Sequence, residues 1–389
     1  MLKAQCPRRR RGLALAAVLA LGAAGTASAQ LAVSSNDNKV RHVEGVNTVV
    51  AGVPDTATVL DLGASPPRVL GEVTAPGGWS APPQSVAITP DESLALVVSS
   101  TAIDPADPAR TVSNDLVTIL DLKARPPVVI GSVRAGARAS GISINGQGTL
   151  ALVGNRGDGT VSVLSIAGRT VTAVGKVDLR ARDSQPSLPV FAPDGRTAYV
   201  TRNADHKVSV LAVNGTAVTY TGVDISANLN PYSMVITPAG DVAVVGNIGN
   251  GPTGGADTLS VLDLRASPPR LVNTVSVGLI PEGVGMSPDG RHVAAVVMNG
   301  SNLARQSPYF NDFGLLRIYR LDGTALTHVA DARTGHWCQG AAWNRTGSVV
   351  VVQCGVEREL QVFAFDGRRL TRTGQIPVNG SPTGIRTAR

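Results

Sequence analysis

The chain has 389 residues, a formal net charge of +7 and only 3% aromatic side chains. Residues 1–29 hold five basic groups, Lys3 and Arg8 to Arg11, and no acid, so the remainder carries +2. So balanced a charge excludes the basic stripe with interleaved aromatics of a nucleic-acid groove, and the scarce aromatics argue against a Trp-stapled quinoprotein or a lectin with one stacking ring per repeat.

In chain order, a basic stretch from Lys3 to Arg11 meets an apolar run from Leu13 to Ala24 and then small residues. This pattern predicts a secretory signal peptide over 1–29, cleaved after the Ala27-Ser28-Ala29 triplet. The apolar run is too short to span a bilayer, and no Cys follows it for lipid attachment. The expectation is a periplasmic or secreted protein without a membrane span. Four consecutive arginines suit a twin-arginine route, but the rest of that signal is absent, so the route stays open. Residues 30–40 read as an N-terminal linker and 41–389 as one domain.

That domain is repetitive. "PQSVAITPDESLALVVSS", "ASGISINGQGTLALVGN", "PSLPVFAPDGRTAYVTRN", "PYSMVITPAGDVAVVGN", "PEGVGMSPDGRHVAAVVMN" and "CQGAAWNRTGSVVVVQC" begin at Pro83, Ala139, Pro186, Pro231, Pro281 and Cys338. A period of about 50 residues signals a propeller or solenoid. Each copy is a short apolar run, a Pro-Asp-Gly-type turn in which Gly supplies positive φ, and a second run rich in Val and Ala. A third run follows, such as "TVSVLSI" or "KVSVLAV", with apolar residues on both faces, so both faces of each sheet must be covered.

Third and fourth strands are joined by two kinds of connector. "LDLGASPPRVL" (60 to 70), "LDLKARPPVVI" (120 to 130) and "LDLRASPPRLV" (262 to 272) are one kind. "IAGRTVT" (166 to 172), "VNGTAVT" (213 to 219), "LDGTALT" (321 to 327) and "FDGRRLT" (365 to 371) are the other. Seven connectors against six first strands leave one strand missing. The segment "SPTGIRTA", 381 to 388, supplies it by completing the first blade beside "VNTVVAG" and closing the ring. The predicted fold is all-β, a seven-bladed β-propeller of four-stranded antiparallel blades.

The Pro-x-x-x-x-x-x-Pro-Asp-Gly motif, followed by "AYVTRN" in one blade and "LALVGN" or "VAVVGN" in its neighbours, resembles the YVTN-type repeats of secreted bacterial propellers. These are similar in fold to lactonase-type seven-bladed propellers. The resemblance covers nearly all of the chain after the leader. It implies an architecture rather than one chemistry, since the superfamily includes lactone hydrolases, a muconate-cyclising branch and redox-associated subunits.

The connections before first strands and after second strands share one face, which therefore holds the candidate site. Its long loops are 100–115, 248–257 and 300–314, either functional loops or solvated insertions. Second strands end in Asn155, Asn203, Asn247, Asn299 and Gln353, either an amide-rich ligand ring or ordinary turn starters bonded to nearby backbone. Around the entry lie Arg138, Tyr232, Glu282, His336 and Trp337. Glu282, His336 and Arg138 are the catalytic candidates, because lactone hydrolysis needs a general base or a metal-activated water with a cation for the developing oxyanion. The alternative for His336 and Trp337 is packing around a disulfide.

After the leader the chain keeps two cysteines, Cys338 and Cys354, placed to face each other across a hairpin as a disulfide. A metal site of His336 and Cys338 would need a third or fourth ligand at recognisable spacing. No cofactor is identified, and spacing does not support a divalent metal in the funnel. "GNGPTG" (249 to 254) has Gly-x-Gly-x-x-Gly spacing but precedes a strand, not the helix a dinucleotide site requires. Two functions remain. One is an exported monomer binding a small ligand or protein partner in its funnel, and the other is a lactonase-like or related ring-opening enzyme.

Overall fold

In the computed structural model, which describes residues 1–2, 30–251 and 253–388, seven four-stranded antiparallel sheets form a ring. The expected signal peptide lies outside the described residues, Met1 and Leu2 excepted. Six blades are sequential in the chain and begin at the inner strands Val86–Ile88, Ala139–Ile144, Pro186–Phe191, Pro231–Ile236, Pro281–Met286 and Cys338–Trp343. We number these blades 2 to 7. Blade 1 is composite: the C-terminal strand Ser381–Thr387 is its inner strand, followed by Leu31–Asp37, Thr56–Asp61 and Arg68–Thr74.

The ring closes with the strand expected, but on a different partner. Ser381–Thr387 pairs with Leu31–Asp37, so residues read as linker form the second strand of blade 1, with every side chain buried. "VNTVVAG" lies outside the blade. Val46–Val49 pairs with Val40–Val43 in a separate two-stranded hairpin. Its turn residues Glu44 and Gly45 have φ of 46° and 78°, the paired positive values of a tight hairpin turn. The physical reason is burial: alternate side chains of 31–37 fill both neighbouring sheet interfaces, Val33 against Val86 and Val97 on one side and Ala32 against Val351 and Ile385 on the other. The polar tail of "LAVSSND" hides this, although Asn36 there bonds Thr56 and Thr58 of the next strand.

The core is distributed between adjacent sheets rather than gathered at one centre. Leu96 and Val98 of blade 2 pack with Ile142 and Val153 of blade 3, and Leu188 and Val190 of blade 4 with Met234 and Val245 of blade 5. Val and Ala suit these flat double-sided interfaces, where branched side chains pack well on the pleat.

The repeated turns have a residue-level cause. In the turn between first and second strands Asp194 Oδ1 accepts from the N–H groups of Arg196 and Thr197, and Asp289 Oδ1 from that of Arg291. Gly195 and Gly290 supply φ of 65° and 72°. In the "LDL…PP" corners the Asp caps the bend: Asp61 Oδ1 accepts from Gly63 and Asp121 Oδ1 from Lys123. All three corners contain a cis peptide at the first proline, Pro66, Pro126 and Pro268. The long connection 100–115 is mostly strand, since Leu94–Ile103 pairs with Thr111–Asp121 as far as Ile103 opposite Thr111.

Candidate functional site

The inner strand of each of blades 3 to 7 is entered through one repeated backbone device. The residue before it is left-handed: Arg138 (φ 54°), Gln185 (52°), Asn230 (56°), Ile280 (57°) and Trp337 (48°). Such values are costly for side-chain-bearing residues and persist where surrounding structure fixes them. The fixing group is the carbonyl of the same residue, which accepts an N–H from just beyond the second strand: Arg156 to Arg138, Asn203 to Gln185, Ile248 to Asn230, Met298 to Ile280 and Gly355 to Trp337. A register irregularity at the start of each of these strands follows, re-aiming its side chains.

Buried polar groups collect near the starts of the inner strands: Tyr232, Glu282 and Gln339 at the second position of theirs, and Gln84 two residues before that of blade 2. Arg156, from the end of a second strand, reaches into this group. Its Nη1 is 3.4 Å from the Tyr232 hydroxyl, and its Nη2 donates to Gln185 Oε1 (2.8 Å) and Asn203 Oδ1 (3.1 Å). Its guanidinium also lies 5.3 Å from the centroid of the Tyr232 ring. Gln339 Nε2 donates to Glu282 Oε1 at 3.4 Å. Arg138 donates to Ser80 Oγ at 2.9 Å.

Burial dominates the electrostatics of this cluster. It pushes the Glu282 carboxyl up to about 7, against the opposing charge of Arg156 and the hydrogen bond from Gln339. It pushes the Tyr232 phenol up to about 12, against the same guanidinium. Arg138 is lowered, by burial first and then by the like charge of Arg156. Among the described residues, neither Arg138 nor Arg156 has a carboxylate ion-pair partner.

A septum crosses the channel just below. Pro83, at the entry of blade 2, abuts Gly283 of blade 6 and Gly340 of blade 7, where an added Cβ would come within 2.8 Å and 2.5 Å of the proline ring. Gln84 Nε2 donates to the Val284 carbonyl of blade 6 at 3.1 Å. Only glycine admits so close an approach. Beyond the septum the channel widens to a chamber of about 640 Å³ that opens on the opposite face, at the first turns of the blades.

The structure thus brings together Arg138, Tyr232 and Glu282 and leaves His336 and Trp337 outside. His336 is gripped between Glu357 Oε1 (Nδ1, 2.7 Å) and Asp312 Oδ1 (Nε2, 3.0 Å). Burial opposes its protonation, but the two carboxylates outweigh burial and raise its pKa. It lines an off-axis groove of about 450 Å³ beneath the 40–49 hairpin. Trp337 packs with Ile280 and Met298 and stacks on His42 of that hairpin, ring centroids 4.3 Å apart. Cys338 and Cys354 are bonded to each other, across paired positions of two neighbouring strands. Glu357 lies close to the two sulfurs, but the disulfide occupies the atoms a metal would need.

The amide residues do not form one ring. Asn155 donates to Thr160 and Ser162, and Asn247 to Thr258 and Ser260, within their own blades. Asn299 donates to the Phe313 carbonyl, and Gln353 is fully buried beside Gly340. Asn203 alone meets the cluster, through Arg156. Sequence reading passed over Gln84 and Gln339, although aligning the repeats places both in the column of Tyr232 and Glu282. It also passed over Arg156, a cation directly after the Asn that ends its strand.

No protein-family model matches the sequence, and no curated protein matches it. Solved structures do share its fold. A putative 6-phosphogluconolactonase from Bacteroides uniformis superposes with a TM-score of 0.71 at 15% identity, over 92% of this chain and 99% of that one. A periplasmic gluconolactonase from Pseudomonas aeruginosa gives 0.67 at 15%, over 93% and 99%. The hydrazine synthase of Kuenenia stuttgartiensis gives 0.62 at 15%, over 81% and 93%. The chain is a seven-bladed β-propeller, the fold it shares with these structures.

Proposed function

We propose that this propeller binds a small anionic ligand, of the size and polarity of a sugar acid, at the mouth of its channel. The observation that carries the reading is that Arg138 and Arg156 are close enough to feel each other's charge, and among the described residues neither forms a salt bridge with a carboxylate. Like charges repel, so their juxtaposition is offset best by an anion, which a planar guanidinium grips through paired N–H donors. Glu282 is largely protonated below its pKa of about 7 and does not cancel them. Tyr232 keeps its phenol proton throughout the neutral range and supplies a donor. Screening aldonates and other small carboxylates by thermal shift tests this: a protein-specific rise that is lost in Arg138→Met supports it, and silence across the screen contradicts it.

One observation favours a second reading, ring-opening of a lactone. A carboxyl with a pKa of about 7 is poised as a general base, and two cations stand ready for a developing oxyanion. The gluconolactonase names of two structural neighbours point the same way. On this reading Glu282 activates the attacking water and Arg156 stabilises the tetrahedral oxygen. Release of acid from an aldonolactone, abolished by Glu282→Gln, would establish it.

We assign the site to the periplasm or exterior, on the strength of the leader pattern.

A further inference from the structure

Asn203 meets Arg156 with one half of its amide engaged and the other idle. Arg156 Nη2 donates to Asn203 Oδ1 at 3.1 Å and to Gln185 Oε1 at 2.8 Å. A guanidinium carries donors only, so it fixes which way the amide is turned: the oxygen faces Arg156 and the NH₂ group points elsewhere. That Nδ2 is buried and meets no acceptor among the described residues, and the same holds for the Nε–H of Arg156. Asn203 as a whole is 7% exposed.

The use of amides rather than carboxylates is particular to this arginine. Arg202, which precedes Asn203 in the chain and is buried, is paired with Asp205 and Asp224, so its charge is neutralised. Arg156 has instead the two amide oxygens, the Tyr232 hydroxyl at 3.4 Å and the face of the Tyr232 ring. It is oriented without being neutralised. The amide pair is itself held in place, because the Asn203 N–H donates to the Gln185 carbonyl at 3.1 Å. Buried donors left unanswered are costly, and two of them beside one cation call for acceptor oxygens that carry negative charge.

We infer that Asn203 has two parts in the anion site: its Oδ1 positions Arg156 without neutralising it, and its Nδ2 donates a hydrogen bond to an oxygen of the bound anion. The inference rests on the anion-binding reading and adds to it a neutral donor that accompanies the arginines. Gln185 shares the positioning part only, since its NH₂ group is not among the buried donors left without a partner.

Asn203→Asp is the isosteric test, because it neutralises Arg156 and removes the idle donor while keeping the shape. Gln185→Glu neutralises Arg156 and leaves that donor in place. D-gluconate is titrated calorimetrically at pH 6 into the parent and both variants, with Arg156→Met alongside. Both variants are expected to bind more weakly than the parent, Asn203→Asp at least tenfold more weakly than Gln185→Glu. Equal losses overturn the donor assignment. Parent-like affinity in Asn203→Asp, where Arg156→Met has lost binding, overturns the inference and leaves the anion reading standing. No binding of any small carboxylate by the parent removes both. The positioning part has a readout that needs no ligand. Burial raises the Glu282 carboxyl to about 7 against the charge of Arg156, and stability is lost as pH rises through that value. Neutralising Arg156 therefore moves the loss to higher pH in Asn203→Asp and Gln185→Glu, as in Arg156→Met. Denaturation midpoints between pH 5 and 9 measure this, and an inflection unmoved in both amide variants overturns the positioning part.

Discussion

Glu282 sits at an inner-strand position whose neighbours in other blades are uncharged, and its environment offers one long hydrogen bond from Gln339. Its pKa in the fold is raised from 4.5 to about 7, so its contribution to stability is full below about 4.5 and lost as pH rises through about 7. Glu282→Gln removes that titration. Denaturation midpoints measured between pH 4.5 and 8 are expected to fall with pH in the parent and to show a flatter profile in the variant. Parallel profiles would show that the carboxyl is solvated. On the proposed anion-binding reading the same proton sets affinity, since above its pKa the carboxylate would compete with an incoming anion for Arg156. Little of this was legible beforehand. The sequence marks Glu282 as a carboxylate beside a strand start, but burial and the approach of Arg156 from a neighbouring blade depend on the closed ring.

At the scale of elements, blade 7 differs from its sisters in carrying a covalent tie. The Cys338–Cys354 bond links the inner strand to the second strand, over a sequence separation of 16. In the chain-entropy account a loop of this size adds about 3 kcal/mol by restricting the unfolded chain. The double variant Cys338→Ala with Cys354→Ala is expected to lose about that much in urea denaturation, and the parent to lose the same on reduction. An unchanged midpoint in both would mean that strand pairing alone holds the hairpin. This element was readable from spacing, because the cysteines bracket a turn whose residues are symmetric about it. The 40–49 hairpin was not. Its apolar alternation resembles a blade strand, and only the tertiary contact of His42 with the Asn302 carbonyl and Trp337 shows that it bridges the tops of other blades.

At the scale of the whole molecule, stability rests on closure. Deleting 381–389 strips the inner strand from blade 1 and exposes the faces that Ile385 and Ala32 share with Val351. Loss of cooperative melting is expected, read by circular dichroism. Replacing 40–50 by a short Gly-Ser link is expected to leave a cooperative transition, since that hairpin lies outside the ring. The opposite pattern would restore "VNTVVAG" to the blade. Seven blades were countable from connectors because every third-to-fourth corner carries one of two recurring turn sequences. The septum was not, because it arises where Pro83 crosses to glycines about 200 and 257 residues away, and no local signal encodes that approach.

On the proposed reading, Arg138 and Arg156 at the channel mouth together hold a small anion. Calorimetric titration of D-gluconate into the protein at pH 6 and pH 8, repeated with Arg138→Met, Arg156→Met and Glu282→Gln, tests it most directly. One site per chain is expected, with affinity that falls between pH 6 and 8. A loss of at least tenfold is expected in either arginine variant, and disappearance of the pH effect in Glu282→Gln. Binding that ignores both arginines, or no binding of gluconate or any other small carboxylate at either pH, would contradict it.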